Sequence, residues 1–207
     1  MAISSEVLAD EEHDRTATEA HWRVLMRLYA AVSYAFGDRA LVLLDIFVRT
    51  GGQQAAPDLL VAPGMAPGSR RVYSVPENTV PSVTVEVLSV VNYEAAGRAQ
   101  LQRKRDFFGR IGVPLHLEVA PEEGVISVWT NQDGRLVRVA VADRYDGPDL
   151  GGVRVTTPAP DEVHVYLPDG REMLDTDAEI ARAESEAAGA ERLAGRLREL
   201  GIDPDEI

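Results

Sequence analysis

Cysteine is absent from the 207 residues, and lysine occurs once, at position 104, among 21 basic residues. Without thiols, disulfides and thiolate metal sites are excluded. No apolar run approaches the roughly 20 residues that span a bilayer, the best being the short stretch Ala40 to Val48. The acidic start MAISSEVLADEEHD has neither the basic nor the apolar region of a signal peptide, so a cytoplasmic location and no membrane partner are the expectation. His13, His21, His116 and His164 are scattered without paired spacing, which argues against a zinc site. Gly51-Gly52 and Gly151-Gly152 lack the Lys-Ser/Thr of a phosphate-cradling loop and read as turns.

What is present is an ordinary globular composition, 45% hydrophobic, long enough for one sizeable core. The formal charge of −13 repels a polyanion on average. The charge is unevenly spread, however: residues 175 to 207 hold ten acids against four arginines, whereas 98 to 110 hold five bases against one acid, Asp106. Residues 1–14 are polar and acidic without periodicity and are expected to be disordered. Trp22, Leu25, Met26, Tyr29, Val32 and Ala35 follow helical spacing in a first helix from Thr16 to Phe36, stopped by Gly37. Strands are expected at Ala40 to Val48, Asp58 to Val61 and Ser82 to Leu88, with a long loop between Ala62 and Pro81. A second helix from Arg98 to Ile111 ends at Gly112-Val113-Pro114. Antiparallel strands then follow at Leu115 to Val119, Gly124 to Thr130 and Arg135 to Ala142, with the hairpin signal Asn131-Gln132-Asp133-Gly134, and a further strand at Val163 to Leu167. The order describes an α/β or α+β core on a mixed central sheet, occupying 15–174. Residues 175–207 read as an amphipathic tail whose alanine-seamed helix, Asp177 to Leu200, is roughly 36 Å long and suits either a solvated arm or self-association as a homodimer.

Lys104 falls on the apolar stripe of its helix with Leu101, Phe108 and Ile111, where a charge is out of place. Lysine is a compact cation of tunable pKa, which arginine is not, so a site that needs an amine does not exchange the two. The other reading is a lysine that lays its stem along the core edge and snorkels to water. Two carboxylates could answer it. In Val83-Thr84-Val85-Glu86-Val87-Leu88 the valines share one face and Glu86 lies on the other, and Asp58 stands at the entry of its own short strand. Two carboxylates on neighbouring strands with an amine from a helix can hold a divalent ion and orient a water, an arrangement suited to phosphodiester hydrolysis. Asp45 could join them, or could simply mark a strand end. His116 and Glu118 share a strand face that could approach the metal but reads first as a solvated polar surface, and Arg103, Arg105 and Arg110 read as solvated helix-surface arginines that could also meet phosphate.

Pro57-Asp58, Glu86-Val87-Leu88-Ser89, Lys104 with Phe107-Phe108, and Gly112-Val113-Pro114 resemble the Uma-two family of restriction-endonuclease-like proteins, a branch of the PD-(D/E)XK nuclease superfamily. The likeness covers most of the chain and extends to the tail from Leu193 to Pro204. It implies a restriction-endonuclease-like core with helices flanking the sheet, a Mg²⁺ or Mn²⁺ ion held by Asp58, Glu86 and the backbone carbonyl of Val87, and DNA as substrate. It also implies that the superfamily lysine has moved from the strand, where this chain has Leu88, to the helix at Lys104. The chain departs from the family's usual pattern at Val90, Gln100 and Leu115-His116-Leu117, and only Glu19 is available as an acid on the first helix. The expected function is a metal-dependent endonuclease acting on DNA; the alternative is a nuclease-fold module without turnover, serving in binding or assembly.

Overall fold

The computed structural model describes residues 18–175 apart from 69 and 76, together with positions 182, 185, 186, 189, 192–194, 196 and 197 of the tail. The N-terminal stretch 1–14 and most of the expected tail helix therefore lie outside the described residues. The chain divides into two units, Met1–Met173 and Leu174–Ile207. In the second, the described residues from 182 onward are helical, and Arg182 and Glu186 face each other one turn apart at 3.5 Å. No helix among the described residues is long and apolar enough to cross a membrane.

In the first unit, the Thr18 side chain accepts from the His21 amide and starts α1 (Glu19–Phe36), which ends at Gly37 in a left-handed φ of 52°. Its buried face is His21, Val24, Leu25, Leu28, Ala31 and Val32. Trp22 and Met26, read from sequence as core positions, lie about half exposed instead. The buried stripe is rotated toward Val24, Leu28 and Ala31, away from the indole.

The strands are β1 (Ala40–Leu44), β2 (Val48–Thr50), β3 (Gln53–Ala55), β4 (Leu59–Pro63), β5 (Tyr73–Ser74) and β6 (Val83–Val87). After helix α2 (Ala95–Arg110) come β7 (Leu115–Ala120), β8 (Val125–Gln132), β9 (Arg135–Ala142), β10 (Arg144–Tyr145), β11 (Arg154–Ala159) and β12 (Glu162–Tyr166). Six of them form the central sheet in the order β1-β4-β6-β7-β8-β9. The β6–β7 pair is parallel and the others are antiparallel, so the sheet is mixed, as the sequence implied. The expected strand Ala40 to Val48 breaks in two: Asp45 takes a left-handed φ of 44°, and Val48 enters a small sheet β3-β2-β5 instead. The long loop after β4 is pinned by Tyr73, whose buried hydroxyl donates to the Thr79 carbonyl at 2.5 Å. A third sheet, β10-β11-β12, includes the expected strand near Val163, and its Val155, Val163 and Val165 join the core of α1.

Alternation sorts the central strands between two helices. Leu59, Val61, Val83, Val85, Val87, Leu115, Leu117 and Val119 pack with Val24, Leu25 and Leu28 of α1. Leu60 and Ala62 turn the other way and pack with Phe107 and Phe108 of α2. The β8–β9 turn places Asp133 and Gly134 both at positive φ, the backbone of a primed hairpin turn, and Asn131 accepts from the Gly134 amide at 2.9 Å. Asn131 also donates to the Gly109 carbonyl, tying the hairpin to the last turn of α2 at 2.8 Å. That approach is possible because position 109 has no side chain: a Cβ there would sit 2.9 Å from the Leu136 nitrogen and 3.0 Å from the Gly134 oxygen. Gly109→Ala is expected to destabilise the protein by about 1–3 kcal/mol, since forced backbone movement outweighs the gain of about 1 kcal/mol in helix propensity; chemical denaturation measures it, and an unchanged midpoint would contradict this packing.

Candidate functional site

β6 lies in the middle of the sheet and is buried along its whole length. Its valines face α1, so Thr84 and Glu86 necessarily face α2. Parallel pairing sets Thr84 beside His116 and Glu86 beside Glu118 of β7. The floor beneath α2 thus carries two acids on adjacent strands, and α2 answers with two successive bases. Lys104 Nζ donates to Glu86 Oε2 at 2.7 Å, and Arg105 Nη1 donates to Glu118 Oε1 at 2.5 Å.

Asp58, just ahead of β4, turns its Oδ2 to accept from the Val87 amide at 2.7 Å. The Val87 carbonyl accepts from His21 Nδ1, also at 2.7 Å. Asp58, Glu86, Val87 and Lys104 are therefore brought together, with His21 of α1 added to the group. Glu86 is 3% exposed, and its second oxygen, Oε1, is buried without a hydrogen-bond partner. The exposed Asp45 lies close enough to act electrostatically on both Asp58 and Lys104, its amide bonding the Asp58 carbonyl at 3.0 Å.

One amine serves two carboxylates here, and the titration behaviour reflects the shortfall. Burial pushes Glu86 up to about 8; Lys104 draws it back, and the neighbouring Asp58 and Glu118 add repulsion. Asp58 is likewise raised by burial, only partly offset by Lys104 and His21. For Lys104 burial opposes the charge, but Glu86 and Asp58 outweigh it and hold the ammonium above its ordinary range. It is a desolvated, charged lysine held by carboxylates, not one that snorkels along the core edge.

The neighbouring group corrects two expectations. His116 and Glu118 are not a solvated face: both are buried under α2. Arg105 is no surface arginine either. Besides Glu118 it donates to Gln102 at 2.9 Å and lies 4.6 Å over the Trp129 ring. Trp129 Nε1 donates to the other Glu118 oxygen at 3.0 Å. Burial lowers the His116 pKa and keeps the ring neutral. One tautomer fits: Thr84 O–H donates to Nδ1 at 2.8 Å, and Nε2–H faces Glu118 Oε1 at 3.6 Å, too far for a hydrogen bond. Burial works against the Glu118 carboxylate, yet the N–H dipole of His116 that faces it and the Arg105 guanidinium together hold it below the usual range. Arg110 bonds Gln53 at 3.0 Å, and Arg103 is exposed.

Sequence reasoning missed His21 and the Arg105–Glu118 pair. The signals were present: His21 heads the stripe His21, Leu25, Leu28, Val32, and Glu118 alternates with three residues that had to be core. Among the described residues, no three His, Cys, Asp or Glu side chains form a ready cage for a metal. The donors at hand are oxygens, which suit a hard divalent cation. Glu86 Oε1 lacks a partner, and the Val87 carbonyl has a second lone pair beyond the one His21 uses. The residues therefore fit such an ion.

No family model and no curated protein matches the chain. The crystal structure of a "putative nuclease belonging to DUF820" from Anabaena variabilis ATCC 29413 is similar, with a TM-score of 0.49 and 14% identity over 63% of this chain and 70% of that one. So distant a likeness carries no argument about the site, which rests on its own residues.

Because Glu86 titrates near 8 when folded against an ordinary 4.5, the folded protein holds a proton that the unfolded chain releases. The stability this confers is complete below the unfolded value and is lost as pH rises through the folded one. Without divalent metal, the thermal midpoint is expected to fall between about pH 5 and 9, and Glu86→Gln is expected to flatten that slope, leaving the part due to Asp58. Equal slopes in the two proteins would show that Glu86 is not the group responsible.

Proposed function

We propose that this chain is a divalent-metal-dependent nuclease of the restriction-endonuclease-like class, hydrolysing DNA phosphodiester bonds. The observation that carries the reading is the buried, half-satisfied Glu86 carboxylate, set beside Asp58 and met by the only lysine in the chain. The resemblance to the Uma-two family points the same way. A Mg²⁺ or Mn²⁺ ion held by Asp58, Glu86 and the Val87 carbonyl would polarise the phosphate and lower the pKa of a bound water.

The chain's own residues have distinct parts in this. The Val87 amide fixes one Asp58 oxygen and leaves the other for the ion. His21 fixes the Val87 carbonyl from the α1 side. Lys104 donates one of its three N–H groups to Glu86 in a hydrogen bond, leaving two for a water or phosphate oxygen. Charge near the phosphate is supplied by the same ammonium, whose raised pKa keeps it protonated through neutral pH.

Calorimetry with Mn²⁺ is expected to show binding that is lost in Asp58→Ala and Glu86→Gln. Plasmid cleavage is expected to fall by at least about a hundredfold in Lys104→Arg, with metal affinity retained, because the charge survives and the donor geometry does not. Cleavage by Lys104→Arg at the wild-type rate would remove the amine from the chemistry. Metal binding by the wild type with no cleavage of duplex or single-stranded DNA over a range of salt would favour the module without turnover.

A further inference from the structure

We propose that Arg105 is a positioning residue: its pairing with Glu118 fixes α2 over the β6–β7 seam and thereby holds the Lys104 amine on Glu86. The proposal rests on the reading above only in giving that amine a task. Its physical basis is the adjacency of the two bases on the helix and of the two acids on the sheet.

Successive helical residues are about 100° apart around the axis, so Lys104 and Arg105 both reach the sheet only if the helix presents the arc between them. Glu86 and Glu118 are partners in the parallel ladder and receive the two bases side by side. Lysine cannot set this rotation, being a point charge on a flexible four-carbon stem. Arginine can, because its planar fork has direction. The Arg105 guanidinium is held by Glu118, by Gln102 and by the Trp129 ring. Glu118 is held in turn, since Trp129 takes its second oxygen. A buried ion pair is poor evidence for stability, because desolvation cancels much of the attraction, whereas fixing one arrangement among several is a use such pairs do have.

The alternative arrangement can be named. Were Glu118 uncharged, Arg105 would be left largely buried without a carboxylate, and the unpartnered Glu86 Oε1 lies one strand away. Arg105 would then compete with Lys104 for Glu86, and the amine would be released toward solvent. A merely structural role for Arg105 predicts a looser fold with Lys104 still in place.

The single lysine makes the two cases separable without any assay of cleavage. Lys104 is acetylated with an amine-reactive ester in the full chain, well below each variant's unfolding midpoint, and read by peptide mass spectrometry apart from the terminal amine. Glu118→Gln and Arg105→Gln are expected to raise the Lys104 acetylation rate about tenfold. Val165→Ala, in the core beside α1, destabilises the fold without touching the cluster and is expected to leave the rate within about twofold. Should Glu118→Gln fail to fold, Trp129→Phe, which removes the indole donor to Glu118 and leaves a smaller ring under Arg105, is expected to raise the rate about threefold. An unchanged rate in the Glu118, Arg105 and Trp129 variants, or an equal rise in Val165→Ala, overturns the proposal. Absence of cleavage by the wild type would count against the nuclease reading alone, since the acetylation pattern does not depend on it.

Discussion

A charged amine buried against a carboxylate beneath a helix is the constraint around which this structure is arranged. Water would solvate both groups at no cost, so their burial has to be compensated locally. The amine and the carboxyl group answer each other, and a second such pair stands one residue along the helix and one strand across the sheet. That requirement explains why β6 and β7 must be parallel neighbours in register and why α2 must cross the seam between them. It also explains why Phe107 and Phe108 follow so closely: they anchor the same helix in apolar contacts with Leu41 and Leu60.

The opposite face of the sheet is apolar and is closed by α1, which contributes one polar contact through His21. Backbone and side chains divide the work there. Val87 lies in the core by its side chain, while its amide holds Asp58 and its carbonyl holds His21. A single residue in the middle strand thus links α1 to the carboxylate cluster. Substitution of Val87 by another branched apolar residue would preserve this, whereas proline would remove the amide.

The sequence made the central strands legible because alternation is strict where each face meets a different helix, as in Val83 to Val87. It made Lys104 legible because a charge on an apolar stripe is anomalous. The polar face of β7 was misjudged, because alternation reports that two faces differ and not which of them meets water: His116 and Glu118 face α2 rather than solvent. The rotation of α1 was misjudged for a related reason. Trp22 and Met26 are apolar enough to suggest burial, but the buried face runs through His21, Leu25, Leu28 and Val32 instead. The break at Asp45 depends on a left-handed backbone that Asp tolerates, in keeping with the reading of that residue as a strand end.

Among the described residues β9 is an edge strand, and its pairing with β8 slips by one residue: Val128 faces Ala140 while Trp129 faces Arg138, leaving Val139 between them. The slip is a bulge, which twists a strand and interrupts its outward row of amides and carbonyls. An incoming strand would meet no continuous template there, and it would meet Arg135 and Arg138 besides. The exposed Val137, Val139 and Val141 are thus tolerated on an open edge without inviting the sheet to grow from one molecule into the next.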